Sequence, residues 1–496
     1  MRISKYALVL AFSASVVMGQ NQAASSADNN ARPRQLPSMD VTAIDKTANP
    51  CEDFYQYACG NWMKNNPIPP DQAVWGRFNQ LHDNNQYILK EILEKDSADS
   101  PGRSAVEQKI GDYYSSCMDE ATVEKKGATP LQPDFNRINA MKSKNDILAE
   151  LIDLHAKGVG SFFSFGSDQD FKDASQVIAE IDQGGLALPD KDYYLREDAK
   201  SAKTREQYLQ HVTNMFRLLG DSPQKAAAEA KVVMNIETEL AKGSMDRVSR
   251  RDPTKLYHKM EVKELSALLP SIAWQRYFQE VGAPGTIASL NVVAPDYLKA
   301  MNSVLSSSSL DDLKTYMRWH VLHENAPLLS KPFVDENFSF YGTALTGQKQ
   351  IRPRWKRCVS LVDHQLGEAL GQAYVAQTFG AEGKERTLKM VRALEAALAQ
   401  DIKGVSWMSD TTKQEAMKKL EAIQNKIGYP DKWRDYSTVN IVRGDLLGDS
   451  ERASAFEVKR QLNKIGKPVD KNEWGMTPPT VNAYYDPQMN NINFPA

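Results

Sequence analysis

Hydrophobic residues recur at helical spacing through most of the chain. Between Thr387 and Ile402, apolar side chains that include Leu388, Val391 and Leu394 stand three or four positions apart. This spacing places them along one face of a helix. The same spacing occurs in residues 104–118, 226–241, 309–321 and 361–379. The pattern therefore predicts a body built mainly of α-helices.

Capping signals mark one further helix. Thr412 followed by Glu415 has the spacing of a capping box, which begins a helix. We expect this helix to continue through Ile427 and to end at Gly428 and Pro430, because neither residue type continues a helix.

Alternation of apolar and polar residues, the pattern of a strand, is scarce. It occurs in residues 161–165 and 176–181, and again in the stretch 481–494. The chain is therefore expected to change from helix to a small amount of sheet in its last stretch.

The length and the charge of the chain narrow the class of protein. At 496 residues, the chain is expected to hold two or three cores, or one unusually large core. Lys and Arg total 61 and Asp and Glu total 63, which gives a formal charge of −2. This balance argues against a nucleic-acid partner bound through overall positive charge.

The N-terminus has the layout of a secretory signal peptide. A basic start precedes an apolar run over residues 6–18, and small and polar residues follow. We expect a signal peptide at 1–24 and a flexible leader at 25–50. The run is shorter than the ~20 residues that span a bilayer, and an uncleaved anchor is the alternative. The chain is then periplasmic or extracellular, with no stable membrane span after cleavage.

No complete catalytic arrangement is visible in the 496 residues. None of the seven His begins a His-Glu-x-x-His sequence, which would hold two zinc ligands one helical turn apart. The nearest pattern is His320, His323 and Glu324, but the reversed zinc motif needs Glu before its second His. We therefore expect His320 and His323 to be ordinary helix residues. Nucleophile-elbow, phosphate-loop and dinucleotide-binding patterns do not occur either.

Six motifs stand in a fixed order along the chain. They are Asn-Pro-Cys-Glu-Asp-Phe-Tyr-Gln-Tyr-Ala-Cys-Gly-Asn-Trp (49–62), Trp-Lys-Arg-Cys (355–358), Ile-Gly-Tyr-Pro (427–430), Val-Asp-Lys-Asn-Glu-Trp (469–474), Val-Asn-Ala-Tyr-Tyr (481–485) and Asn-Asn-Ile-Asn-Phe-Pro-Ala (490–496). Together they resemble the neprilysin family of zinc metallopeptidases. The resemblance runs from about Asp45 to the last residue.

The resemblance implies a mainly α fold in two parts. One part is a large helical cap domain, and the other is a thermolysin-like α+β metallopeptidase domain. We expect the helical domain at residues 51–435 and the opening segment of the catalytic domain at 436–496. In the family, His-Glu-x-x-His and a third ligand, a Glu, follow the Phe-Pro-Ala motif. We therefore expect the N-terminal portion of a secreted zinc metalloendopeptidase that hydrolyses oligopeptides, truncated before its zinc motif. We expect this chain alone to bind no zinc, to have no catalytic residues and to be inactive.

The resemblance also marks candidate substrate contacts. Asn482 and Ala483 match the family's Asn-Ala pair on the edge strand beside the cleft. An edge strand offers free backbone groups to an extended peptide, and the Asn amide both donates and accepts hydrogen bonds. Phe78 matches an aromatic residue near the pocket for the residue after the cleaved bond. The alternatives are core packing for Phe78 and a turn or strand-end role for Asn482.

The four cysteines divide into two pairs by resemblance. Cys117 is expected to form a disulfide with Cys358. Cys51 and Cys59 pair, in the family, with cysteines in the C-terminal part. We expect both to be unpaired here, and a bond between the two is the alternative.

Two hypotheses of different classes therefore remain. The first is part of a secreted zinc peptidase that acts on peptide substrates. The second is a non-catalytic secreted helical module that binds peptides or a protein.

Overall fold

A computed structural model describes residues 39–496 of the chain. The predicted signal peptide, 1–24, and the first part of the predicted leader lie outside the described residues. Of the helices in the described part, none is long and apolar enough to cross a membrane.

Helices dominate the described residues, which confirms the mainly α fold class. In chain order they are α1 Phe54–Asn65, α2 Arg77–Ser97, α3 Ala105–Met118, α4 Glu120–Lys126, α5 Gln132–Ala140, α6 Ile147–Ala156, α7 Asp192–Leu195, α8 Ala199–Leu218, α9 Pro223–Gly243, α10 Pro253–Leu256, α11 Val262–Leu268, α12 Trp274–Glu280, α13 Pro295–Ser307, α14 Leu310–Asn325, α15 Lys331–Asn337, α16 Arg354–Thr378, α17 Gly380–Gly404, α18 Asp410–Glu421 and α19 Leu446–Leu462. A π-helical segment, Phe338–Ala344, follows α15.

Within residues 39–496, seven strands form two small sheets. They are β1 Phe163–Asp170, β2 Asp173–Gln183, β3 Lys259–Glu261, β4 Ser289–Val292, β5 Gln424–Gly428, β6 Tyr484–Asp486 and β7 Asn491–Pro495. The first sheet has the order β1-β2-β4-β3, with only β2 and β4 parallel. The second has the order β5-β7-β6, in which β7 is parallel to β5 and antiparallel to β6. Strand β6 is therefore an edge strand.

Buried apolar side chains form two clusters. The larger cluster packs α5, α6, α8, α9, α13 and α14 against the first sheet. The smaller cluster is built on α2, α3 and α16. Helix α19 contributes to both, because Leu447 and Leu462 belong to the larger cluster and Leu446 and Ala453 to the smaller. This helix joins the C-terminal segment to both cores.

The disulfide between Cys117 and Cys358 joins α3 to α16 inside the smaller cluster, as the resemblance implies. Cys51 and Cys59 are free thiols, the first exposed and the second half-buried. The alternative bond between these two is absent from the described structure.

The region around α18 corrects one expectation. The helix begins at Asp410, because the side chain of Ser409, and not of Thr412, accepts the capping hydrogen bond. It ends at Glu421, and the residues up to Gly428 form β5 instead of a continued helix. The spacing of apolar residues fitted a helix, but pairing with β7 determines the conformation. Because β5 precedes residue 435 and β6 and β7 follow it, the two predicted domains share this sheet. The domain boundary itself stays a prediction.

Candidate functional site

The edge strand β6 presents its two preceding residues to solvent. Asn482 and Ala483 are both exposed. The side-chain oxygen of Asn482 accepts a hydrogen bond of 2.9 Å from the backbone N–H of Ala483. The amide NH2 of Asn482 has no acceptor among the described residues, so it is free to donate to a ligand.

A groove on α16 fixes the segment that leads into this strand. Gly367 and Gly371 stand one turn apart on α16, beneath Thr477 and Pro478. A Cβ atom on Gly367 would lie 2.3 Å from Cγ2 of Thr477, and one on Gly371 would lie 2.7 Å from Cδ of Pro478. Only glycine allows this approach of the segment to the helix.

Hydrogen bonds complete the attachment of that segment. The side-chain amide of Asn85, on α2, donates to the carbonyl oxygen of Pro479 at 2.8 Å. The hydroxyl groups of Thr477 and Thr480 are 3.0 Å apart. The position of Asn482 is therefore set jointly by α2 and α16.

Phe78 and Asn482 line the same pocket. The pocket has a volume of about 280 Å³ and lies between the first turns of α2 and residues 479–482. Phe78 is 67% exposed, so it does not belong to a core formed by the described residues. Ala483 does not line this pocket. The structure therefore brings together two of the three residues that the resemblance marks.

A larger cavity of about 870 Å³ adjoins the pocket. Its two arginines are paired: Arg434 lies 3.0 Å from Glu368, and Arg460 lies 2.6 Å from Glu473. The ion pair between Arg460 and Glu473 tethers α19 to the segment before β6. Sequence reasoning missed these residues, because a charged residue gives no local signal of the partner that it faces across the fold.

Two titratable groups stand on the wall between the pocket and the cavity. Burial raises the pKa of Asp363, on α16, to about 6, and the nearby hydroxyl group of Thr477 opposes this shift. Burial lowers the pKa of His82, on α2, and the positive charges of Arg352 and Lys356 add to this effect. Near neutral pH, Asp363 is therefore mainly ionised and His82 is neutral.

The His320 and His323 pair is enclosed in the larger core. Burial lowers the pKa of each to about 3, so both are neutral. No cluster of three His, Cys, Asp or Glu side chains able to hold a metal occurs among residues 39–496. Both histidines instead pack against aromatic rings: His320 against Tyr316, and His323 against Trp319 and Tyr341.

Comparison with known proteins decides the family. The sequence model of peptidase family M13 matches residues 50–430, well over half of the chain. The chain belongs to peptidase family M13. This M13 chain is 33% identical over 482 residues to an endothelin-converting enzyme homolog from Locusta migratoria, covering 92% of this chain and 66% of that protein. It is also 33% identical to neprilysin-3 from Drosophila melanogaster, covering 92% of this chain and 61% of that protein.

Solved structures agree with the M13 assignment. The zinc metalloprotease ZMP1 of Mycobacterium tuberculosis, solved with an inhibitor, superposes with a TM-score of 0.86 and 36% identity, over 92% of this chain and 69% of that one. PepO from Lactobacillus rhamnosis, at 24% identity and a TM-score of 0.82, shares the fold. This M13 chain thus spans about two thirds of the length of the relatives that it matches.

Proposed function

We propose that this chain provides the peptide-holding part of a zinc metalloendopeptidase that hydrolyses peptide bonds in oligopeptides. The observation that carries the proposal is the shared pocket of Phe78 and Asn482 beside an exposed edge strand. An extended peptide would pair with the backbone of β6, while Asn482 bonds its backbone and Phe78 contacts a side chain. Backbone pairing holds a peptide with little dependence on its sequence.

An uncovered helix face supports the idea that further protein belongs against this part of the chain. On α17, Met390, Leu394 and Leu398 stand four residues apart and are 52%, 59% and 46% exposed, and Trp407 beyond its end is 76% exposed. Contiguous apolar surface of this kind marks an interface. The relatives are longer than this chain. We propose that the remainder of the peptidase covers this face.

The zinc ligands are proposed to lie in that remainder. The residues that the structure describes form no site of three ligands, and the 496 residues contain no His-Glu-x-x-His. They do not fit a zinc ion. The chain alone is therefore expected to bind peptides without cleaving them.

Export from the cytoplasm is part of the proposal. The disulfide between Cys117 and Cys358 needs an oxidising compartment, and the sequence begins with the layout of a signal peptide. We propose a periplasmic or extracellular location.

Backbone-modified peptides test the proposal. Fluorescein-labelled octapeptides would be compared with versions N-methylated at alternate residues, which keep the side chains but lose the pairing N–H groups. We expect N-methylation to weaken binding at least tenfold. Asn482→Ala should weaken the unmodified peptide about tenfold, the effect of about one hydrogen bond. Asn136→Ala, at an exposed position on α5, is the control and should leave the affinity for both peptide forms unchanged. Equal binding of both peptide forms would refute pairing with the edge strand.

A further inference from the structure

Two buried acceptors without partners lie beside the proposed peptide path. They are Oδ1 of Asp363, on α16, and Oε1 of Gln86, on α2. Gln86 is only 2% exposed, and neither oxygen has a hydrogen-bond donor among the described residues. Buried acceptors are normally satisfied, so this unpaired set marks a place for a bound donor, either water or a ligand group.

The residues that carry the two acceptors line the same part of the site. Four residues line both the pocket and the larger cavity, namely His82, Gln86, Asp363 and Thr480. We define these four residues as the junction. The junction is continuous with the pocket that holds Phe78 and Asn482, so a group bound there can belong to a peptide on the edge strand.

Charge favours a cation at the junction. Lys356, whose charge acts on His82, is already held by both oxygens of Asp83 at 2.8 Å. In the larger cavity, the two arginines are paired with Glu368, Glu457 and Glu473. Asp363 has no ion-pair partner in the part of the chain that the structure describes. Arg352 acts on His82, but no charged group acts on the carboxyl of Asp363, so this carboxylate carries a negative charge that the described residues leave unbalanced.

The chemistry of the acceptors selects the kind of cation. One carboxylate and one amide oxygen would supply only two of the six or more oxygen ligands that calcium or magnesium takes, and water would have to supply the rest. A primary ammonium group has three N–H donors and no acceptor. The carboxylate and the amide satisfy two of the donors, and the neutral His82 ring or the Thr480 hydroxyl can accept the third.

We propose that the junction binds a protonated primary amine of the peptide substrate. The amine is either the α-ammonium group of the peptide or the side chain of a lysine, and both present the same chemistry. This inference rests on the proposed function, because it takes the peptide to lie along β6. Asp363 and Gln86 are then specificity-determining residues.

Three matched peptides test the inference on the full chain. The first has a free N-terminus and norleucine, the second is N-acetylated with lysine, and the third is N-acetylated with norleucine and so has no amine. We expect the third to bind at least tenfold more weakly than the better of the other two. Tight binding of the first assigns the α-ammonium group, and tight binding of the second assigns lysine.

Variants connect the preference to the junction. Asp363→Asn keeps the shape of the side chain and removes its charge. It should abolish the difference in affinity between the peptides with and without an amine. Asp296→Asn, at an exposed position on α13, should leave the difference intact. Gln86→Met removes the second acceptor at similar side-chain volume and should reduce the same difference in affinity. It tests the junction independently if Asp363→Asn proves unstable.

The outcomes separate the two proposals. Equal binding of all three peptides to the unmodified chain would show that water satisfies the junction, and would overturn the inference while peptide holding by β6 stands. An amine preference that survives both junction variants would also overturn it. Binding of none of the three peptides would overturn the proposed function and the inference together.

Discussion

The close approach of residues 477–478 to α16 gives a prediction with two opposing effects. Replacing Gly367 by Ala would normally stabilise a helix by about 1 kcal/mol, because Ala has the higher helix propensity. At this position the new Cβ would meet Cγ2 of Thr477 at 2.3 Å. Overpacking of this kind costs about 1–3 kcal/mol. We therefore expect Gly367→Ala to be less stable than a comparable substitution in open space.

Gly404, the last residue of α17, is the matched control. A Cβ there would meet nothing within 4 Å. The measurement is urea unfolding followed by tryptophan fluorescence. We expect the free energy of unfolding of Gly367→Ala to fall about 1–3 kcal/mol below that of Gly404→Ala. Labelled octapeptides should also bind more weakly, since displacement of Thr477 displaces Asn482.

A second substitution identifies the clashing atom. Thr477→Ser removes Cγ2 but keeps the hydroxyl that contacts Thr480. The nearest remaining atom of residue 477 would then be its Cβ, at 3.3 Å from the new methyl group. The double variant should recover most of the stability and the binding that Gly367→Ala loses. If Gly367→Ala is as stable as the control and binds peptide normally, the groove does not position the edge strand.

Three further predictions concern the rest of the chain. Burial raises the pKa of Glu237 to about 8, although Tyr194 and Tyr208 donate hydrogen bonds to its carboxyl group. Because this pKa is higher in the folded than in the unfolded chain, the free energy of unfolding should fall by roughly 4–5 kcal/mol as the pH rises from 4.5 to 8. Glu237→Gln should flatten that slope in thermal unfolding across pH. Reduction of the Cys117–Cys358 disulfide, which spans 241 residues, should cost up to about 5 kcal/mol in urea unfolding, and an unchanged midpoint would contradict this. Leu394→Gln should leave the free energy of unfolding in urea within about 0.5 kcal/mol of that of the unmodified chain, since the side chain is exposed, and a larger loss would contradict this.

Local sequence patterns predicted most of the helical body. The stripe from Leu388 to Ile402 lies within α17, and Ser309 caps α14 as its spacing with Asp312 indicates. These features depend on neighbours three or four positions away. Strand β5 was missed because its partner, β7, stands more than sixty residues further along the chain. The alternation within β5 is too short to distinguish a strand from the end of a helix.

The site was predictable only where the resemblance supplied it. Phe78, Asn482 and the Cys117–Cys358 pair came from motifs, and the structure brings the first two to one pocket. Gln86 and Asp363 lie on helices more than 270 residues apart in sequence and gave no signal. Each is one polar residue in a helical stripe, and only the packing of α2 against α16 shows that they face one space.

The central claim is that this chain is the peptide-holding part of a zinc metallopeptidase. The most direct test is the intact mass of the protein from its native source, with zinc measured on the same sample. The account predicts a mass above the 55.6 kDa of the 496 residues and about one zinc ion per molecule. A mass no greater than 55.6 kDa, without zinc, would contradict it and favour a secreted module that binds peptides without cleaving them.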